Sequence, residues 1–311
     1  MTAASSELSD LTAQVRVGWE VLAAGPARVP GLARAPLAPG PAASPDRALA
    51  ARFSRALVVT ASPGSLLCPP GWAGIVVIGA RALATAPDAE LAARMERALA
   101  GVPAAALTDE GVLRARLPVL EVLGPAALAY LSPGDFHSRA SIRPADHDPG
   151  EMPGYDVAEL GARDAAFGRF LDEADPSDRH ESGLAEITSP AFAIRQGGQV
   201  VSAAGYRAWP NRFAHLCVLT AADARGRGLA RLAGSAAAAH ALAAGFLPQW
   251  RARLEASRAV ARSLGFTDLG AQVSLRVRPD SGDTSSSRHD VSTAAAPPSA
   301  LPRRLRTAAQ D

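Results

Sequence analysis

A glycine-bearing loop between a strand and a helix constrains this chain more than any other feature. Phe213–Leu219 (FAHLCVL) is a short apolar run and reads as a strand. Thr220–Ala224 follows as a loop, then Arg225-Gly226-Arg227-Gly228-Leu229-Ala230, then an Ala-rich stretch to Ala244, with Gly245 where a helix C-cap belongs. A strand that turns through glycines into a helix gathers free backbone N–H groups and the positive end of the helix dipole at one spot. Gly226 and Gly228 let an anion come close to the backbone. Arg225 and Arg227 add fork-shaped cationic donors. The pattern predicts a pyrophosphate site.

What the 311 residues lack narrows the choice of pyrophosphate. All 32 basic residues are Arg, so a Walker A loop, a kinase lysine and Schiff-base chemistry are excluded. A dinucleotide loop needs a small residue where this chain has Arg231, and Arg251 and Arg253 lie where an acidic ribose partner belongs. The formal charge of +2 argues against a nucleic-acid partner. Cys68 and Cys217 are the two cysteines, without a CxxC, so neither a metal centre nor a disulfide framework is expected. No apolar run approaches the ~18 residues of a membrane span, and no signal-peptide pattern opens the chain. The expectation is a cytoplasmic protein without membrane partners.

Along the chain, residues 1–45 read as a helix over Leu8–Ala24 followed by a Pro/Ala-rich linker. Residues 46–150 form an accessory α+β unit. It has helices over Asp46–Leu57 and Asp88–Ala100, strands over Leu57–Thr60, Gly74–Gly79, Val119–Leu123 and Ala127–Leu131, and a connection from Ser132 onward. Residues 151–278 hold the anion loop. Before it, Phe192–Gln196 and Gln199–Trp209 read as a hairpin across the Gly197–Gly198 turn. Residues 279–311 are rich in Ser, Pro and Ala and read as a disordered tail.

The loop resembles motif A of the GCN5-related N-acetyltransferase (GNAT) family, carried here by Arg225, Gly228 and Ala230 after a strand with Val218 and Thr220. Gln249–Arg253 is similar to the family's fifth strand. Ser257–Phe266, ending in Leu-Gly-Phe, is similar to its motif B helix, and Gly270–Val277 to its final strands. The resemblance spans about residues 155–277. It implies an α/β (α+β mixed sheet) fold with acetyl-CoA as co-substrate in a splay between the fourth and fifth strands. Pantetheine would meet the backbone of Cys217, Val218 and Leu219. The pyrophosphate would meet Arg225, Gly226, Arg227, Gly228, Leu229 and Ala230.

It also implies direct attack by a small-molecule or peptide amine on the thioester, which needs a base and a proton donor for the thiolate. His215, on the fourth strand, is the first candidate base, its ordinary pKa near 6.5 suiting the task. Glu186 and Glu181 are alternatives. The family often has an Asn near the start of motif B and a Tyr acid within it; this chain has Leu254 and Ala261, which leaves Ser257 as a substitute donor by proximity. Tyr206 and Trp209 are candidates for the acceptor pocket. Those two departures keep a non-catalytic acyl-CoA-binding or regulatory module open as an alternative. A degenerate second GNAT unit in the N-terminal half is open as well. Residues 206–231 hold five Arg against one Asp and residues 250–262 four Arg against one Glu, basic charge expected to face the cofactor.

Overall fold

The spacing of Leu11, Val15, Trp19 and Leu22 puts one apolar stripe along a helix, and all four are buried on α1 (Ala3–Ala24). The helix begins five residues earlier than the sequence pattern indicates. The structure, a computed structural model, describes residues 3–25, 56–138, 157–161 and 163–279. The helix expected at Asp46–Leu57 and the tail expected at 279–311 lie almost wholly outside the described residues.

The strand β1 (Leu57–Ala61) is followed by the hairpin β2 (Ala73–Ile78) and β3 (Arg81–Ala86). The second arm of that hairpin was not anticipated, because Arg81–Ala86 is Ala-rich and has little β-branching. Asp88 caps α2 (Ala89–Ala98) by accepting from Leu91 N–H, and Leu91, Ala92 and Met95 face the core. A further short helix, α3 (Glu110–Arg116), is capped by Asp109.

The two strands expected around residues 119–131 are one strand, β4 (Val119–Tyr130), paired with β10 (Thr267–Val277). Gly124-Pro125 made the run look broken, since proline cannot donate to a ladder. The strand keeps going because the register against β10 shifts there, between the Leu123↔Ser274 and Ala126↔Gln272 pairs.

The second half runs β5 (Val157–Leu160), α4 (Ala165–Glu173), α5 (Pro176–Ser182), β6 (Ala191–Gln196), β7 (Gln199–Trp209), β8 (Phe213–Thr220), α6 (Leu229–Ala243), β9 (Leu247–Ala252) and α7 (Glu255–Ser263) before β10. Gly197 and Gly198 both have positive φ, as the hairpin turn between β6 and β7 requires.

One ten-stranded sheet joins both halves, in the order β1-β3-β2-β10-β4-β9-β8-β7-β6-β5. β4, from the first half, lies between β9 and β10 of the second, so a single strand occupies Thr267–Val277 where the resemblance implied several. α6 packs on one face with Ala214, Leu216, Tyr206 and Trp250. On the opposite face, α1 covers Phe213, Leu247 and Tyr130, while α4 and the turn at Leu184–Ile187 cover Cys217 and Leu219.

Candidate active site

The strands β8 and β9 pair in parallel at Phe213↔Leu247, Ala214↔Pro248 and His215↔Gln249, and the ladder stops there. β8 continues to Thr220 held only by β7, and β9 continues to Ala252 held by β4. The backbone of Leu216–Leu219 therefore lines a wedge between two strands that have parted. Polar backbone edges of this kind call for a partner.

The glycine loop lies beyond the end of β8. Gly226 and Gly228 both have φ +77°, and a Cβ at either would meet nothing within 4 Å, so the surface above them is open. Gly228 is the N-cap of α6 and no side chain caps that helix. Arg225 through Gly228 are exposed. Gly-conformation backbone, uncapped N–H groups and open space form an anion cradle.

The two loop arginines are already engaged. Arg225 donates to Asp178 Oδ2 (2.5 Å) and to Thr220 O (3.3 Å); Arg227 donates to Gln196 Oε1 (3.3 Å) and Asp223 O (2.9 Å). Both brace the loop, with spare donors left on each guanidinium. Part of the basic excess read from the two segments is paired with acids outside them, Arg207–Glu186, Arg253–Glu181 and Arg258–Asp268, while Arg262 pairs with Glu255 of its own segment. Arg212 donates to Gly245 O and Ala244 O at the C-terminal end of α6. Segment counts missed the Arg207 and Arg253 pairs because Glu186 and Glu181 lie far away in sequence.

His215 and Cys217 point to the face opposite α6. His215 lies between the cluster under α1 and the cluster under α4. Its ring stacks on Trp209, centroids 4.6 Å apart, and its Nδ1 lies 3.0 Å from Gln249 Oε1. Burial, opposed only by the Gln249 contact, lowers its pKa to about 3, and the charges of Arg251 and Arg207 push the same way. The imidazole is neutral and only weakly basic, far from the near-neutral pKa that made it the first candidate base. Burial raises the Cys217 thiol to about 12, so it stays protonated.

Glu186 ends a short turn beside β7 and pairs with Arg207, directly across from His215 in the β7–β8 ladder. Glu181 on α5 pairs with Arg253. These acids share the His215 side of the sheet.

Ser257 is not brought together with them. Its Oγ accepts from Trp250 Nε1 (3.0 Å), and Trp250 is buried in the α6-side cluster. Leu254 is 68% exposed and Ala261 is buried. Tyr206 also belongs to the α6 side, its hydroxyl 3.0 Å from His240 Nδ1, whereas Trp209 stands at His215. Period-two alternation would have separated Tyr206 from His215, since their strand positions face opposite sides. Gln249, Tyr130 and Trp19 were not singled out, because nothing local marks a side chain that matters through a distant contact.

Among the described residues, no helix is long and apolar enough to cross a membrane. Comparison with known proteins gives a family match: residues 189–271 fit the model of the family described as GNAT acetyltransferase. Solved structures similar to the chain include an acetyltransferase of the GNAT family from Colwellia psychrerythraea (15% identity, 55% of this chain and 62% of that one, TM-score 0.37). A GCN5-related N-acetyltransferase from Kribbella flavida is 18% identical (54% and 63% covered, TM-score 0.36). A GCN5-related N-acetyltransferase-like protein from Streptococcus suis is 17% identical (67% and 84% covered, TM-score 0.40). The chain spans less than two thirds of the length of the Colwellia and Kribbella proteins. No curated protein matches. The matched segment contains the parted strands, the glycine loop and α6, and over residues 189–271 the chain is similar to the GNAT acetyltransferase family.

Proposed function

We propose that the chain transfers an acetyl group from acetyl-CoA to an amine at the wedge between β8 and β9. The observation that carries this reading is the alignment of the parted strands with the uncapped, glycine-flanked start of α6. Pantetheine would add hydrogen bonds along Cys217–Leu219, and the pyrophosphate would sit on the amides of residues 225–230. The amine nitrogen attacks the thioester carbon, the tetrahedral intermediate collapses, and the C–S bond breaks to release CoA. The acceptor proton has to leave and the thiolate has to gain one. Glu186, oriented by Arg207, is the carboxylate we assign as base, directly or through water. The N-terminal half supplies β4 and α1, which support the wedge from the other side.

A second reading, a non-catalytic acyl-CoA-binding protein, has one observation in its favour. Ser257, whose Oγ accepts from Trp250 Nε1, lies on the α6 side of the sheet, and the buried Ala261 has no proton to give. Calorimetric titration with acetyl-CoA tests what both readings share. Saturable binding is expected in the wild type and its loss in Gly228→Trp, where a large side chain would fill the cradle. No binding by the wild type would sink both.

A further inference from the structure

A buried chain of polar groups runs from α1 to His215. Trp19 Nε1 lies 2.6 Å from Tyr130 Oη, Tyr130 Oη lies 3.0 Å from Gln249 Nε2, and Gln249 Oε1 lies 3.0 Å from His215 Nδ1. Trp19, Tyr130 and Gln249 are all 0% exposed. Each group obeys fixed rules. An indole N–H can only donate. A tyrosine hydroxyl carries one proton, and burial pushes the Tyr130 phenol up, so it keeps that proton. A glutamine amide accepts at one end and donates at the other, and its two orientations have nearly the same shape.

These rules permit one fully satisfied direction. Trp19 donates to the Tyr130 oxygen. The Tyr130 proton then needs an acceptor, and among the described residues the Gln249 amide is the other group in reach. With Gln249 Nε2 toward Tyr130, as the structure has it, the buried Tyr130 O–H is left without an acceptor among the described residues, a loss of about 1–3 kcal/mol that the reversed amide, nearly the same in shape, removes. With its oxygen toward Tyr130, every group is paired, and the amide nitrogen then faces His215 Nδ1 as a donor. Nδ1 must accept, so the ring proton of the neutral imidazole is on Nε2.

We propose that His215 is held as a neutral Nε2–H hydrogen-bond donor by a one-way chain from Trp19 through Tyr130 and Gln249. Trp19, Tyr130 and Gln249 are positioning residues, acting through His215. The inference rests on the acyl-transfer reading for its consequence. At the wedge, His215 offers a donor to the oxygen that becomes negative when the thioester is attacked; it does not offer a lone pair to the amine. The charged and titratable groups facing it are consistent with that polarity: Arg207 and Arg251 oppose a proton on the ring, Glu186 is paired with Arg207, and the Cys217 thiol is protonated. An oxyanion suits such a site.

The test uses the free full-length protein, so its outcome is separable from that of the acyl-transfer reading. Nitrogen-15 NMR of the histidine rings distinguishes a protonated from an unprotonated nitrogen directly. At pH 6–8 the expected result for His215, assigned by its absence in His215→Gln, is protonated Nε2 and unprotonated Nδ1. An Nδ1–H ring, or a mixture of the two tautomers, would overturn the proposal. Gln249→Glu supplies a second arm. A carboxylate accepts at both ends, so it is expected to move the ring proton to Nδ1 and bring the His215 titration up toward neutrality. An unchanged tautomer and titration in a folded Gln249→Glu protein would contradict the chain. Should that variant not fold, the wild-type spectrum decides.

Discussion

Removing one oxygen from Tyr130 should destabilise the protein far more than its size suggests. Tyr130 ends β4, the strand that the first half contributes to the sheet of the second, and its hydroxyl is the meeting point of Trp19 and Gln249. Tyr130→Phe leaves the ring in place against Phe213, so the void is a single atom and adds little. It strands the Trp19 N–H and one end of the Gln249 amide, both fully buried. At about 1–3 kcal/mol for each unpaired group, the loss is about 2–6 kcal/mol. For a unit of this size that is a fall in Tm of roughly 4–15 °C. Tyr206→Phe is the control, since it breaks a single bond to the half-buried His240, and about 1 kcal/mol is expected. Urea unfolding followed by far-ultraviolet circular dichroism measures both. A Tyr130→Phe protein within about 0.5 kcal/mol of wild type would refute the claim that these polar groups depend on one another.

Four further outcomes are expected. His215 is half-buried and neutral, with a pKa near 3 against 6.5 unfolded, so its contribution to stability is complete above pH 6.5 and is lost as pH falls toward 3; relative to His215→Gln, wild type should lose up to about 1.4 kcal/mol per pH unit in that window, and parallel stability curves would contradict this. Gly18→Ala would ordinarily strengthen a helix by about 1 kcal/mol, but its Cβ would lie 2.0 Å from Phe213 Cζ, so thermal unfolding should show a loss of about 1–3 kcal/mol, and a gain would mean α1 does not pack as described. Gly228→Ala meets no atom and should lower stability by only about 1–2 kcal/mol through its positive φ, while weakening acetyl-CoA binding in calorimetry; unaltered affinity would remove the loop from the cofactor site. Asp178→Asn, which releases Arg225 from an exposed pair, should alter stability by less than about 1 kcal/mol and tighten acetyl-CoA binding several-fold, and weaker binding would show that the pair presents the loop.

The parts of the fold that sequence made legible are those governed by local rules. The Gly197–Gly198 turn, the Asp88 cap, the stripe on α1 and the Arg225–Ala230 loop each follow from neighbours a few residues apart. What escaped depends on distant partners. Gly124-Pro125 looked like a break until β10 supplied a register shift opposite it. Arg207, Arg225 and Arg253 looked like free charge until Glu186, Asp178 and Glu181 came beside them. His215 lies on β8 beside the wedge, but its protonation is decided by burial and by Gln249, neither of which spacing reveals. Ser257 stood near the wedge in sequence and was drawn to Trp250 on the other face.

Acyl transfer is tested most directly by following free thiol release from acetyl-CoA over a panel of small-molecule and N-terminal peptide amines. The account predicts amine-dependent release of CoA by the wild type, abolished in Gly228→Trp. It also predicts that release falls by about 10²–10⁴ in Glu186→Gln if that carboxylate takes the acceptor proton. Saturable acetyl-CoA binding with no thiol release for any amine would contradict the transferase reading and leave an acyl-CoA-binding protein in its place.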